Sequence, residues 1–443
     1  MARKTYSRRD IGKFGVAALA TGLAAPYLNI RAAYARDAKL VFWLQPNFNK
    51  VADDLLVEQA KEYARLKGLS GNDLQIETVP GGEVAKRMAA ALEVGAPPDV
   101  TRANEEDLTK WGANGHLLDV TPIVSEMKAR QGGINEASLP LAMMNGQILG
   151  APMGIAANAA HVRADKFKEA GYDGLPATWE EFIEASKKVT KPPFYAYGMA
   201  LGLVPSDSLG DVMSVVSAYG GSLIDAQNRP ALESDATVQA FKLIRTMYND
   251  AKIIPRGALS WDNSGNNKAF QSGQVAYALN PTSIYSSLIA DKSPFLDMTI
   301  LERPPGGPAG RFSTASTDYY SVFKKSPNPE LAMGLVQHFM KPENYSRFIV
   351  EAGGRYLPIY PAQLSDPFWT SKPAFAGLLE AARSARSNYA PGKLTPALSE
   401  IVNRSMVVEE VQNMLVKGKD PARAVADAHK TMVEVYKRLG EPT

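Results

Sequence analysis

Two stretches of the chain carry side chains suited to gripping a polyhydroxylated small molecule. The first follows the apolar run Lys39-Leu40-Val41-Phe42-Trp43 and brings Trp43 together with Gln45, Asn47 and Asn49. The second sets Trp261 ahead of Asp262, Asn263, Asn266 and Asn267. Planar amides both donate and accept hydrogen bonds, and an aromatic face covers the apolar C–H side of a sugar ring. Strand residues alternate faces, so Trp43 would serve a core equally well. Trp261 sits in glycine- and asparagine-rich loop sequence, which favours a cleft.

The usual signatures of catalysis are missing. His116, His161, His338 and His429 show no HExxH spacing and no other metal-ligand interval. Neither G-x-S-x-G nor a P-loop occurs, and the run from Pro304 to Gly310 lacks the strand-to-helix setting of a phosphate cradle. With no cysteine in the chain, disulfides, thiolate metal sites, iron–sulfur clusters and cysteine nucleophiles are all excluded. No cofactor and no metal are therefore expected. A glycosidase needs only two carboxylates and leaves no motif, so enzymatic turnover of a carbohydrate stays open as the alternative to binding alone.

The amino terminus says where the protein works. Ser7-Arg8-Arg9-Asp10-Ile11-Gly12-Lys13 precedes an apolar run from Phe14 to Ala25, and Ala33-Tyr34-Ala35 supplies a small-x-small cleavage site. Together these read as a twin-arginine export signal over residues 1–35. The apolar run is too short for a membrane span, which needs about 20 residues. Lipid anchoring requires a cysteine after the signal, so the expectation is a soluble periplasmic protein engaged by the twin-arginine translocase only during export. Twin-arginine export often serves cofactor enzymes, and a secreted carbohydrate-active or other exported enzyme is the second reading.

Removing the signal changes the charge. The chain has 49 basic and 46 acidic residues; residues 1–35 hold six basic and one acidic, leaving 43 against 45. No basic footprint for nucleic acid survives. The remaining 408 residues exceed what one hydrophobic core supports, so at least two domains are expected.

Short β-rich runs alternate with amphipathic helices, the pattern of an α/β fold with a mainly parallel sheet. Lys39–Trp43 reads as a strand, Val51–Leu66 as a helix, Leu74–Val79 as a strand and Glu83–Val94 as a helix, with a third strand opening at Val100. Thr178-Trp179-Glu180-Glu181 fits a capping box, which gives Trp179 a structural role and no ligand role. Further helices are expected at Asp235–Ala251, Asn328–Met340, Pro342–Ala352, Thr395–Lys417 and Pro421–Leu439, the last capped by Asp420.

An ordered set of segments is more specific. Val79-Pro80-Gly81-Gly82-Glu83, Gly95-Ala96-Pro97-Pro98-Asp99-Val100, Gly115-His116-Leu117-Leu118-Asp119, Gly146-Gln147-Ile148-Leu149-Gly150-Ala151-Pro152, Ala258-Leu259-Ser260-Trp261-Asp262 and Ala269-Phe270-Gln271-Ser272-Gly273 fall in an order and spacing that resembles family 1 extracellular solute-binding proteins of ABC importers. The resemblance runs across nearly the whole mature chain. It implies a two-lobed periplasmic binding protein fold of α/β class, with interlobe hinge strands and a ligand cleft. Crossings are implied near Ala151–Ala157, Phe312–Asp318 and Arg355–Tyr360, giving lobe one as 36–152 plus 317–355 and lobe two as 153–316 plus 356–443.

Ligands of open α/β sheets sit outside the carboxyl ends of the strands. On the implied architecture the candidate ligand residues are therefore Trp43, Gln45, Asn47, Glu83, Asn104, Glu105, Asn158, Trp261, Asn263, Asn280, Asp318, Tyr319 and Arg355. Two departures from the family pattern remove expected stacking aromatics: Asn158-Ala159 stands near a usual tyrosine, and Asn280-Pro281-Thr282 stands where a glycine-proline-tryptophan is common. Tyr285, Phe312, Tyr319 and Tyr356 are the rings that would compensate. Arg355 would clamp a diol or an anion, or equally form a surface ion pair. The implied partners are a small carbohydrate and an inner-membrane ABC permease, with the protein acting as a monomer.

Overall fold

The computed structural model describes residues 38–443 apart from Gln131, Pro205 and Ser206. The export signal read over residues 1–35 lies outside the described residues. Leu40–Leu44 (β1), Leu74–Thr78 (β2) and Val100–Ala103 (β3) pair in parallel in the order β2-β1-β3. Parallel neighbours need a crossover, and the helices Lys50–Leu66 and Gly81–Glu93 supply it. Asn49 starts the first of these helices by accepting from the Val51 amide at 3.0 Å, satisfying one orphan donor of the first turn.

A small hairpin, Met143–Met144 (β4) with Gln147–Ile148 (β5), leads into the longest strand, Ala151–Arg163 (β6). Tyr195–Tyr197 (β7), Val275–Pro281 (β8), Thr299–Glu302 (β9) and Ala315–Val322 (β10) complete the set. β6 serves two sheets. Its first half, Ala151 to Ala157, pairs antiparallel with β10, which continues through β3 into the first sheet. Its second half pairs antiparallel with β8 from Asn158 to Val162 and with β9 from Ala160 to Arg163, and β8 pairs in parallel with β7. Leu357 bridges to Ile155, so β6, β10 and the Arg355–Tyr360 segment run side by side where the two sheets meet. Gly154 makes this possible: a Cβ there would lie 2.7 Å from both Cβ and Cγ of Tyr356.

Two apolar cores are present, the first centred on the first sheet and running on to Val275 and Ala278 of β8 and Leu301 of β9. The first gathers Phe42, Trp43, Leu56, Trp111, Tyr319 and Phe323. The second is ring-rich: Tyr197 and Tyr277 lie 4.7 Å apart between centroids, Phe182 lies 5.0 Å from Tyr277, and Trp179 meets Phe182 edge-on at 5.6 Å. Trp179 is fully buried there, and the Thr178 hydroxyl caps its helix by accepting from the Glu181 amide at 3.2 Å. Tyr356, Ile359, Tyr360 and Trp369 pack into the first core.

Helix ends differ from expectation in two places. The stretch expected as one helix over Thr395–Lys417 is two, Pro396–Asn403 and Met406–Lys417. Ser405 between them takes φ +53°, a left-handed conformation that an uninterrupted helix cannot contain. The helix from Asp235 keeps α geometry to Arg245 and widens to a π turn over Thr246–Asp250. Pro421–Leu439 is one helix, with Asp420 accepting from the amides of Ala422 and Arg423.

Candidate functional site

A cavity of about 450 Å³ opens between the two sheets, within the range of small-molecule sites. On the first-sheet side it is walled by Gln45, Pro46 and Phe48 after β1, by Pro80–Glu83 after β2, and by Arg102, Asn104, Glu106 and Asp107 after β3. The floor is Ala156 and Asn158 of β6, Ser316 and Asp318 of β10, and Arg355. The far wall is Asp207 and Asp211, Asp262–Ser264, the end of β8 with Asn280 and Ser283, and Asn388, Tyr389 and Asn403.

The near wall is held by Arg102. Its Nη1 donates to the Tyr356 hydroxyl at 2.6 Å and to Asn47 Oδ1 at 3.2 Å, and its Nη2 donates to Gln45 Oε1 at 3.3 Å. Asp318 lies 3.6 Å from the same guanidinium and accepts from the Tyr356 hydroxyl at 2.9 Å. Burial works against the Arg102 charge, but Tyr356 and Asp318 outweigh it, and its pKa is raised. The strand-end loop, β3, β10 and Tyr356 are thereby tied into one polar network.

Asn104 caps the next helix, Glu105–Ala113, accepting from the Asp107 amide at 2.8 Å. Three consecutive acids then fill its first turn, each more than nine-tenths buried. Glu105 turns to β10 and accepts from the Thr317 amide at 2.9 Å. Glu106 accepts from the Tyr389 hydroxyl, and its carbonyl accepts from Ser399 Oγ at 2.8 Å. Asp107 faces the cavity, and no hydrogen-bond donor reaches its carboxyl among the described residues. Burial, reinforced by the charge of Glu106, pushes Glu105 up to about 8 and Asp107 up to about 7. Burial also raises Glu106.

The far wall is similar. Asp207 accepts from Asn280 Nδ2 at 3.3 Å, and burial lifts it to about 6 against the opposing charge of Arg355. Asp211 accepts from the Tyr197 hydroxyl at 2.7 Å and the Ala200 amide at 2.6 Å, yet burial holds its pKa well above the carboxylate range. Asn280 is fixed by Asn267 at 2.9 Å and Ser283 at 2.7 Å. Arg355 is 7% exposed and stacks over the Tyr356 ring at 4.5 Å, and its Nε and Nη1 have no partner. The Oδ1 atoms of Asn263 and Asn388 are likewise buried without a donor.

Of the residues singled out from sequence, Gln45, Glu83, Asn104, Asn158, Asn263, Asn280, Asp318 and Arg355 come together on this cavity. Trp43, Asn47, Glu105, Trp261 and Tyr319 stand elsewhere. Trp43 is buried in the first core with the Arg87 guanidinium over its ring at 5.2 Å. Asn47 stands behind Arg102, and Tyr319 is buried with its hydroxyl on the Ser138 carbonyl at 2.8 Å. Trp261 is half-buried against both cores and lines a separate shallow depression with Lys268, Ser272 and Gln274. Among the other rings considered, Tyr285 meets Phe375 edge-on inside the core, and Phe312 lies under Arg386 at 3.6 Å. Phe48 and Tyr389 are the only rings among the described lining residues.

Sequence reasoning missed Arg102, Glu106, Asp107, Asp207, Asp211 and Asn388. Asp207 and Asp211 share a helix face at i,i+4 beside a helix N-terminus, a signal available in the sequence. Asn388 reaches the site only through tertiary packing.

Residues 58–377 match the family model described as bacterial extracellular solute-binding protein. A probable ABC transporter-binding protein of Deinococcus radiodurans is 24% identical over 294 residues, 64% of this chain and 68% of its own length. A solute-binding protein of Thermotoga lettingae, solved with α-D-tagatose, superposes with a TM-score of 0.78 at 19% identity, covering 89% of this chain and 99% of that one. Another, from Agrobacterium radiobacter K84 with ribitol, gives 0.77 at 19% identity over 90% of this chain and 99% of that one. The fold is therefore the two-lobed α/β architecture of these proteins. Among the described residues no helix is long and apolar enough to cross a membrane.

Proposed function

The chain belongs to the bacterial extracellular solute-binding proteins, and from that premise we propose that it captures a small carbohydrate, a sugar or polyol, between its lobes and delivers it to an ABC importer. The observation that carries this reading is the cavity lining. Its amides, carboxyls and guanidinium groups leave the Asn263 and Asn388 acceptors and the Arg355 donors unpaired, the complement that hydroxyls, each able to donate and accept, would fill. The tagatose and ribitol of the two structural relatives are ligands of the same kind. We read the protein as a binder without turnover, a soluble periplasmic monomer exported through the twin-arginine pathway. The absence of cysteine supports the soluble form.

The lobes we propose are 36–152 with 317–355 and 153–316 with 356–443. Closure is then a population shift: a ligand touching both walls favours the closed form, which the permease reads. A thermal-shift screen of the mature protein against monosaccharides, oligosaccharides, polyols and uronates tests the capture. A ligand at 100 times its Kd adds about 2.7 kcal/mol to stability. Small-angle scattering with and without a saturating ligand tests the closure, and an unchanged radius of gyration refutes it.

A further inference from the structure

We propose that the solute is an amine-bearing carbohydrate, an amino sugar or amino polyol, whose ammonium group sits against Asp107. The inference deepens the carbohydrate reading and rests on it. Its first ground is the excess of carboxyl over guanidinium groups in the lining. Carboxyl side chains outnumber guanidinium groups around the cavity, with Glu106, Asp107, Asp207 and Asp211 all set on its inner walls. Of the two cations, Arg102 is already committed to Asp318, Tyr356, Gln45 and Asn47. Only Arg355 remains to offset the far-wall acids.

The second ground is Asp107 itself. It is 7% exposed, lines the cavity, and receives no hydrogen bond from any described residue. A carboxyl removed from water and left without a donor is costly, and a charged donor from the ligand is the partner that compensates most fully. A neutral hydroxyl donates one proton and no charge, whereas an ammonium donates up to three with full charge. Burial, with the charge of Glu106, raises the Asp107 pKa against the opposing charges of Lys110 and Arg102, neither of which hydrogen-bonds to the carboxyl.

Arg355 does not argue for an anion instead. Its unpaired Nε and Nη1 need acceptors, which neutral hydroxyl oxygens supply, and glucuronate among the probes tests the anionic alternative. The scarcity of rings points the same way: with Phe48 and Tyr389 the only aromatic lining among the described residues, polar contacts must carry more of the recognition.

Calorimetric titration of the mature protein with matched probes tests the proposal: glucosamine, N-acetylglucosamine, glucose and glucuronate, and 1-amino-1-deoxysorbitol beside sorbitol. The expected result is that an amine-bearing probe binds at least about tenfold tighter than its neutral counterpart, and that Asp107→Asn closes that gap. If neutral sugars or glucuronate bind and the amines bind no better, the amine assignment is overturned while the carbohydrate reading stands. If no probe binds, both fall. An amine preference that survives Asp107→Asn also overturns the role given to Asp107.

Discussion

Replacing Asp107 by asparagine should stabilise the ligand-free protein, and by an amount that grows with pH. Asp107 is displaced from an ordinary 3.8 to about 7, chiefly by burial and then by Glu106. Between those values the native state holds a proton that the unfolded chain has already released, so wild-type stability falls as pH rises through that window and the loss is complete above it. At about 1.4 kcal/mol per unit the displacement corresponds to about 4 kcal/mol above pH 7. One effect opposes the gain. Asp107 is the third residue of the helix Glu105–Ala113, where a negative charge is worth about 0.3 to 1 kcal/mol against the helix dipole. Desolvation wins, leaving about 3 kcal/mol in favour of the asparagine variant at pH 8 and about 2 kcal/mol at pH 5, where the native carboxyl is protonated and the dipole no longer acts on it. Urea unfolding of both proteins by tryptophan fluorescence at pH 5, 6, 7 and 8 measures the difference. A difference that stays flat across this range, or that favours the wild type at pH 8, refutes the reasoning, because it would mean that Asp107 is ionised and solvated in the native state.

Three further outcomes are expected. Tyr356→Phe removes the hydroxyl shared by Arg102 at 2.6 Å and Asp318 at 2.9 Å, and should cost about 1 to 3 kcal/mol of stability in a thermal melt; an unchanged melt would mean that water replaces the hydroxyl freely. Trp261→Ala should cost about 2 kcal/mol of stability, less than the 3 to 5 of a fully buried ring, because the side chain is only half-buried against the two cores; a tenfold loss of carbohydrate affinity with an unchanged melt would instead make this ring a ligand platform. Replacing both Arg8 and Arg9 with lysine should block export while the mature protein still folds, and normal periplasmic amounts of that variant would remove the twin-arginine assignment.

Why some of this was legible in sequence and some was not follows from how each feature is encoded. The strands and crossover helices of the first sheet are written in local pattern: Leu40–Leu44 is an apolar run, Leu74–Thr78 alternates apolar and polar residues, Val100–Ala103 follows a proline-bearing break, and a parallel sheet places the ends of such strands on one edge. Gln45 and Asn104, each just beyond a strand, and Glu83, in the first turn of the helix after β2, reach the cavity for that reason. Trp43 is still inside its strand, where the pleat decides its direction, and the pleat turned it to the core. Likewise, the break at Ser405 depends on a single left-handed residue, which no periodicity announces.

The acids at the start of Glu105–Ala113 show where sequence pattern stops and geometry takes over. Consecutive helical residues point about 100° apart, so Glu105, Glu106 and Asp107 cannot share one task, and the phase of the helix assigns them. That phase is set by Asn104, whose side chain holds the Asp107 amide and starts the helix at a fixed angle to β3. It sends Glu105 to the Thr317 amide, Glu106 to Tyr389 and Asp107 into the cavity. The sequence names three adjacent carboxyls with one chemistry. The fold gives the first a backbone partner across the floor and the second a hydroxyl from the opposite wall, and it leaves the third open to whatever the cleft admits. A shift of one residue in the cap would exchange these roles, so the helix start decides which of the three acids the cavity meets.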